Sequence, residues 1–209
     1  MNLPLRLLAV AVCALPSAVF GGAQPRDLGQ GLSYYRVHEL PGDLPSPPLG
    51  RPGPCVLDLR FAKADEIAAS ALRAWVRFNV SAHSPIFVLE NAATSPSLLA
   101  ALTGSGPAGL IVIAPESVGL GPDIRVRVAA DADRNAYEAL DKGAAIQSLL
   151  NDNPEKPRVD EAYLEKEHLA DSEAPEVAAA KPPPPPPMVD TMLQRAVQLH
   201  RGLIALKRL

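Results

Sequence analysis

The sequence predicts an α/β fold: a mostly parallel sheet with crossover helices, followed by a separate C-terminal helix. Three observations carry this expectation. Cys55–Phe61, Pro85–Leu89 and Gly109–Ala114 are short apolar runs rich in branched residues, as strands covered on both faces require. The segments between them carry helical spacing or helix signals, and strand–helix–strand–helix–strand order favours parallel pairing with right-handed crossovers. The last twenty residues carry a broad apolar face beyond a proline-rich stretch.

Taken in order, residues 24–54 read as loop with one strand over Leu32–Leu40, and the proline- and glycine-rich Pro41–Pro54 as an irregular crossing. Cys55–Phe61 is the first strong strand. A helix is predicted over Ala64–Val80, with Ile67, Ala71, Leu72, Trp75 and Phe78 as its apolar face and Asp65 and Glu66 in its first turn, where the dipole favours acids. Pro85–Leu89 is the next strand, and Ser97–Leu102 a short helix closed by Gly104. Gly109–Ala114 is the third apolar strand. Asp123–Ala129 alternates Ile124, Val126 and Val128 with Asp123, Arg125 and Arg127, the pattern of a half-exposed strand at a sheet edge. Asp133–Leu150 reads as a helix with Ala136, Leu140, Ala144, Ile146 and Leu149 on its buried side.

The chain divides into residues 1–23, 24–172, 173–188 and 189–209. The first stretch reads as a secretion signal of bacterial type: Arg6, then an apolar run from Leu7 to Phe20, then Gly21-Gly22-Ala23. The run is shorter than the about 20 residues of a membrane span. The expectation is export, to the periplasm or the extracellular space, with cleavage after Ala23. Residues 24–172 form the α/β domain. Within 173–188 the six prolines Pro182–Pro187 favour an extended spacer of about 19 Å. In 189–209, Met192, Leu193, Ala196, Val197, Leu199, Leu203, Ile204 and Leu206 make a broad apolar face beside Arg195, Arg201, Lys207 and Arg208. Such a helix docks on the domain, pairs with a second copy, or lies on an anionic membrane surface.

Composition excludes several function classes. The formal charge of −3 becomes −4 once Arg6 leaves with the signal, and aromatics are 4 %. Neither a basic patch nor a base-stacking platform is supported, so nucleic acid is not an expected partner. Cys55 is alone once Cys13 departs, and it opens an apolar strand, so it reads as a small core residue. His38, His83, His168 and His200 have no metal-ligand spacing, and no metal or cofactor is expected. The loop Pro115–Pro122 is glycine-rich but lacks the lysine and hydroxyl of a phosphate-binding loop.

The turn after Pro85–Leu89 holds Thr94, Ser95, Pro96 and Ser97. A strand-to-helix turn is where hydrolases on α/β folds often expose a nucleophile. The bland alternative makes Ser95 a helix N-cap ahead of Pro96 at the first helical position. A Ser–His–Asp group of Ser95, His83 and Asp58 is the sharpest catalytic version. Asp58 lies in an apolar strand and needs a partner there, and Arg60, on the same face, is the natural one.

Val56-Leu-Asp-Leu-Arg60, a helix, Ile86-Phe-Val-Leu-Glu-Asn91, then Thr94-Ser95 and Leu98–Leu102 resemble the core of the carboxyl-terminal processing (tail-specific) serine peptidases. The resemblance continues through Leu110–Ile113, the strand after Pro122 and the helix up to Leu150, and covers roughly residues 32–170. It implies a ClpP/crotonase-like fold and an ancestral serine–lysine mechanism. The positions that match the mechanism have departed from it. The nucleophile position, five residues after Asn91, is Pro96, which offers neither hydroxyl nor N–H. The lysine position is Leu120, between Gly119 and Gly121, and the Gly-Gly oxyanion turn is replaced by Ala64 and Asp65. Loss of both nucleophile and base would remove most of such a unit's rate enhancement.

The expected function is therefore that of a non-catalytic exported relative that binds an extended peptide or a protein, with Asp123–Val128 as the strand-adding edge. The enzyme alternative is a serine hydrolase with a rearranged site at Ser95 or Ser97. The second alternative is weak attachment to a membrane surface through the C-terminal helix. Self-association is expected, if anywhere, through residues 190–209.

Overall fold

A computed structural model describes residues 23–45, 53–104, 106–119, 121–151 and 188–209. Its centre is a six-stranded sheet whose spatial order follows the chain: β1 (Arg26–Asp27), β2 (Ser33–Arg36), β3 (Cys55–Asp58), β4 (Ile86–Leu89), β5 (Leu110–Pro115) and β6 (Ile124–Val126). The pairing of β1 with β2 is antiparallel and all the others are parallel. Two helices connect the central strands: α1 (Glu66–Asn79) between β3 and β4, and α2 (Pro96–Leu102) between β4 and β5.

Because the strands progress in one direction, right-handed crossovers place both helices on one face, where α1 packs on α2. Alternation along the strands sorts the side chains. Cys55, Leu57, Ile86, Val88 and Val112 meet Ala69, Leu72, Val76, Leu98 and Leu102. The opposite face presents Tyr34, Val56, Phe87, Leu89 and Ile113. No crossover helix reaches that face, yet β3 and β4 are buried along their whole length. The segments after β6 supply the cover: α3 (Ala130–Asp141), a single 3₁₀ turn at Ile146–Leu149, and α4 (Thr191–Ala205).

α4 is thus part of the fold and not a separate helix. Met192, Leu193, Ala196 and Val197 are buried against Phe87, Leu89, Ile113 and Val126. Its entry is fixed beside the 3₁₀ turn, where the Asp190 N–H donates to the Leu149 carbonyl (2.9 Å) and Gln194 bonds the Asn151 backbone through both ends of its amide. Of the apolar face expected to dock on the domain, pair with a second copy or lie on a membrane, Met192, Leu193, Ala196 and Val197 lie on the chain's own sheet, while Ile204 and Leu206 are exposed. No helix among the described residues is long and apolar enough to cross a membrane.

Other expectations shift. The face of α1 is turned: Ala68, Ala69, Leu72, Val76 and Asn79 are buried, while Ile67 and Phe78 are 80 % and 73 % exposed. Small alanines allow α1 to approach the sheet closely, and that outweighs the spacing of the bulkier residues. Trp75 is half-buried, its indole N–H on the Pro45 carbonyl. The helix expected over Asp133–Leu150 starts earlier and breaks at Lys142, because Gly143 takes φ +86° and tips Ile146 and Leu149 back onto the core. β1 lies in a stretch read as loop; the left-handed run Gly29-Gln30-Gly31 turns the chain from it back into β2. β6 is shorter than Asp123–Ala129 and stands at the sheet edge as its alternation predicts. Residues 152–187, where the sequence predicts a turn up to Pro157, a charged short helix over Asp160–His168 and most of the spacer, lie outside the described residues, as does the secretion signal up to Gly22.

Gly109 has φ +98°, and a Cβ there would collide with the Ser81 carbonyl; Gly104 has φ +104° in open space. Gly109→Ala is expected to destabilise the fold by about 3 kcal/mol and Gly104→Ala by about 1 kcal/mol. Urea midpoints of the two variants check the difference.

Candidate functional site

The carboxyl ends of parallel strands are where α/β folds place their sites. Here β3 runs out through Leu59, Arg60 and Phe61, β4 through Glu90 and Asn91 into the Thr94–Ser97 turn, and β5 through Pro115 and Ser117. Arg60 turns inward and is fully buried. Its Nε donates to both oxygens of Asp58 (3.0 and 3.2 Å) and its Nη2 to Asp58 Oδ2 (2.6 Å). Nη1 reaches Asp133 Oδ1 at 2.9 Å, and Nη1 and Nη2 hold Asp190 at 3.1 and 2.7 Å. The expected pairing of Asp58 with Arg60 is present, joined by two carboxyl groups from α3 and from the start of α4.

The remaining oxygens of the cluster are also engaged. Tyr34 donates its hydroxyl to Asp58 Oδ2 (2.7 Å), Asn91 donates its amide to Asp133 Oδ2 (2.8 Å), and Asp190 caps α4 through the Leu193 N–H (3.0 Å). Burial alone would lower the Arg60 pKa, but Asp190 and Asp58 outweigh it and hold the group well above its ordinary range. Burial, then the Asp58 charge, pushes the Tyr34 phenol well above its ordinary value. A sealed, fully partnered cluster of this kind is a structural lock, with no free group for chemistry.

The β4 turn is equally tied. Asn91 Oδ1 accepts from the Ala93 N–H (3.0 Å), and Thr94 donates to the Leu59 carbonyl (3.1 Å). Ser95 is at the N-cap position of α2 with Pro96 next, as expected, but its hydroxyl does not cap the helix. It accepts from the Ala64 N–H (3.2 Å) and lies 3.2 Å from the Ser97 hydroxyl, which donates to the Ala64 carbonyl (2.7 Å). Asp65 caps α1 through the Ala68 N–H (2.8 Å). The structure therefore brings Ala64 together with Ser95 and Ser97, across 31 and 33 residues. It does not bring His83 to them: His83 sits in the exposed Ser81–Ser84 turn ahead of β4, while Ser95 lies beyond the other end of that strand. Asp58 is committed to Arg60. Leu120 lies outside the described residues.

A cleft of about 480 Å³ opens beside the lock, between Phe61, Asn91, Ala93, Pro115, Val128 and Arg134. Phe61 holds a left-handed backbone (φ +62°) and lies against the Tyr137 ring, 4.8 Å between centroids, with the Arg134 guanidinium 5.2 Å from its own ring. Glu90, at the rim of β4, is 3 % exposed with Oε2 unpartnered; burial first, then Asp123, raises its pKa from 4.5 to about 7. Burial pushes the Cys55 thiol up to about 12, consistent with a core residue. Among the described residues no group of histidine, cysteine or acidic side chains is arranged to hold a metal.

The cluster partners Asp133, Asp190, Tyr34 and Asn91 were not foreseen as one unit. Asp190 carried the clearest signal, a lone acid at the start of an otherwise basic helix. No protein-family model, no curated protein and no solved structure matches the chain.

Arg60→Met would strand three buried carboxyl groups and is expected to cost about 3–5 kcal/mol. Arg127→Met, which removes only an exposed 3.5 Å pair with Glu116, is expected to cost nothing measurable; chemical denaturation compares them. Glu90 binds its proton more tightly in the folded chain than in the unfolded one. The contribution of Glu90 to stability therefore falls as pH rises from 4.5 to about 7 and is level above. Glu90→Gln is expected to abolish that slope and add on the order of 2 kcal/mol at pH 8, read from denaturation curves across the interval.

Proposed function

We propose that the chain is an exported, non-catalytic relative of the tail-specific serine peptidases, with a ClpP/crotonase-like fold that serves as a peptide-binding module. The observation that carries this reading is the fate of the β4 turn. Both hydroxyls that could replace the lost nucleophile are spent on the Ala64 backbone, and neither has a base among its hydrogen-bond partners. The pairing of Ala64 with Ser95 and Ser97 also joins the two segments that the resemblance assigns to the oxyanion turn and the nucleophile. The one-directional parallel sheet is compatible with the same ancestry.

What favours binding is the side of β6 away from β5, next to the cleft, with which no strand pairs among the described residues. Val126 directs its carbonyl inward to the Glu116 N–H, so Arg125, one residue before, directs its N–H and C=O outward along the free edge. An extended peptide adds to such an edge through main-chain hydrogen bonds, and its side chains would lie toward Val128.

An array of unstructured peptides, read by fluorescence anisotropy, is expected to yield saturable binders. Arg125→Pro deletes the outward donor without touching the ladder and is expected to abolish their binding while leaving the fold intact. A fluorophosphonate is expected to label neither Ser95 nor Ser97. A stoichiometric adduct on either serine would establish the hydrolase alternative instead, and the absence of any saturable peptide would overturn the binding role.

A further inference from the structure

The cleft of about 480 Å³ beside the lock is lined by two kinds of group. The segments that leave β3, β4, β5 and β6 supply apolar surface: Phe61, Ala93, Pro115 and Val128. Phe61 is the largest of these, and its ring is steadied by Tyr137, 4.8 Å away between centroids. The first turns of α3 supply charge, through Asp131 and Arg134. The size is that of small-molecule sites, about 300–1,000 Å³, and so is the mixture of an apolar lining with a few polar groups. The place is the one where open α/β sheets bind ligands, outside the carboxyl ends of the strands.

The two charges decide which ligand fits. Asp131 and Arg134 stand three residues apart on α3, a spacing that places opposite charges side by side, about 5–6 Å between Cβ atoms. They do not pair. Among the described residues neither makes a hydrogen bond or an ion pair, and the Arg134 guanidinium lies 5.2 Å from the Phe61 ring. A cation–π contact uses the charge of the group and leaves its N–H donors unspent. A simple anion placed here would be repelled by Asp131, and a simple cation by Arg134. A ligand that carries both charges satisfies both residues, provided that the charges lie close together. In a peptide the two termini are separated by the chain. In a free α-amino acid the carboxylate and the ammonium group share one carbon. The polarity is also set: no side chain caps α3, and Ala130 at its start lines the cleft, so the helix end favours the carboxylate.

We propose that this cleft binds a free α-amino acid with a large apolar side chain, Arg134 holding its carboxylate, Asp131 its ammonium group, and Phe61, Pro115 and Val128 its side chain. The inference does not rest on the peptide-binding reading. The charges that select this ligand belong to α3, whereas the peptide edge is the main chain of β6.

Isothermal titration calorimetry of the purified full chain with L-phenylalanine is expected to show saturable binding at one site. L-phenylalanine amide, which lacks the carboxylate, and N-acetyl-L-phenylalanine, which lacks the ammonium group, should each bind about tenfold more weakly or worse, the loss expected for a hydrogen bond to a charged group. Glycine, without a side chain to bury, should also bind more weakly. Asp131 and Arg134 are exposed, so Asp131→Asn and Arg134→Gln preserve the fold, which denaturation midpoints verify. Each is expected to weaken L-phenylalanine about tenfold or more. A second probe separates recognition from a change in cleft shape. 3-Phenylpropionate has the carboxylate alone, so Arg134→Gln should weaken it and Asp131→Asn should not. Arg125→Pro should leave L-phenylalanine binding unchanged, which keeps this site distinct from the β6 edge. A folded chain with no saturable binding of L-phenylalanine, equal affinity for the N-acetyl or amide form, or binding indifferent to both α3 substitutions would each overturn the proposal.

Discussion

One guanidinium holds three distant parts of this chain together. Arg60 leaves the end of β3, and its partners come from the same strand, from α3 and from the first residue before α4, at sequence separations of 2, 73 and 130. An arginine buried without partners would be prohibitively costly, and so would three buried carboxyl groups. Each requirement cancels the other only when all three elements are in place. The cluster therefore specifies position more than it supplies net stability. It fixes where α3 and α4 begin relative to the strand ends, and so where the cleft beside Phe61 can open.

The need for that lock follows from sheet order. Strands that progress in one direction send their crossover helices to one side, and the second face must be covered by whatever comes later. A doubly wound sheet solves this by reversing direction. This chain does not reverse. It folds α3, a 3₁₀ turn and α4 back across Val56, Phe87 and Ile113. The carboxyl ends of the strands are then roofed by helix starts, and Asp133 and Asp190 both approach Arg60 from such starts.

How much of this was legible in the sequence depended on the range of the interaction. The central strands announce themselves because burial on both faces leaves uninterrupted apolar runs, and β6 because one exposed face leaves alternation. The Asp58–Arg60 pair was readable, since both residues share one face of a short strand. The buried side of α1 was misjudged because residue size was taken for burial, when closeness to the sheet selects alanine. The docking of α4 was only one of three readings of the same amphipathic pattern, which records that a helix has a partner without recording which. Asp133 and Asp190 could not be joined to Arg60 from spacing, since nothing local connects them. At the β4 turn the sequence located Ser95 and Pro96 correctly. The bond from Ser95 to Ala64 depends on how α1 enters, which is tertiary.

The latch between Asp190 and Arg60 also has a consequence in time. A parallel sheet already demands long loop closures before its contacts accumulate, and such topologies fold slowly. Here the last carboxyl group needed by the buried arginine belongs to the final twenty residues. Until these are available, the face bearing Val56, Phe87 and Ile113 is bare and Arg60 is only partly neutralised. Folding cannot close before Asp190 and α4 are available. A chain threaded N-terminus first through a narrow channel would stay pliable until α4 had cleared it.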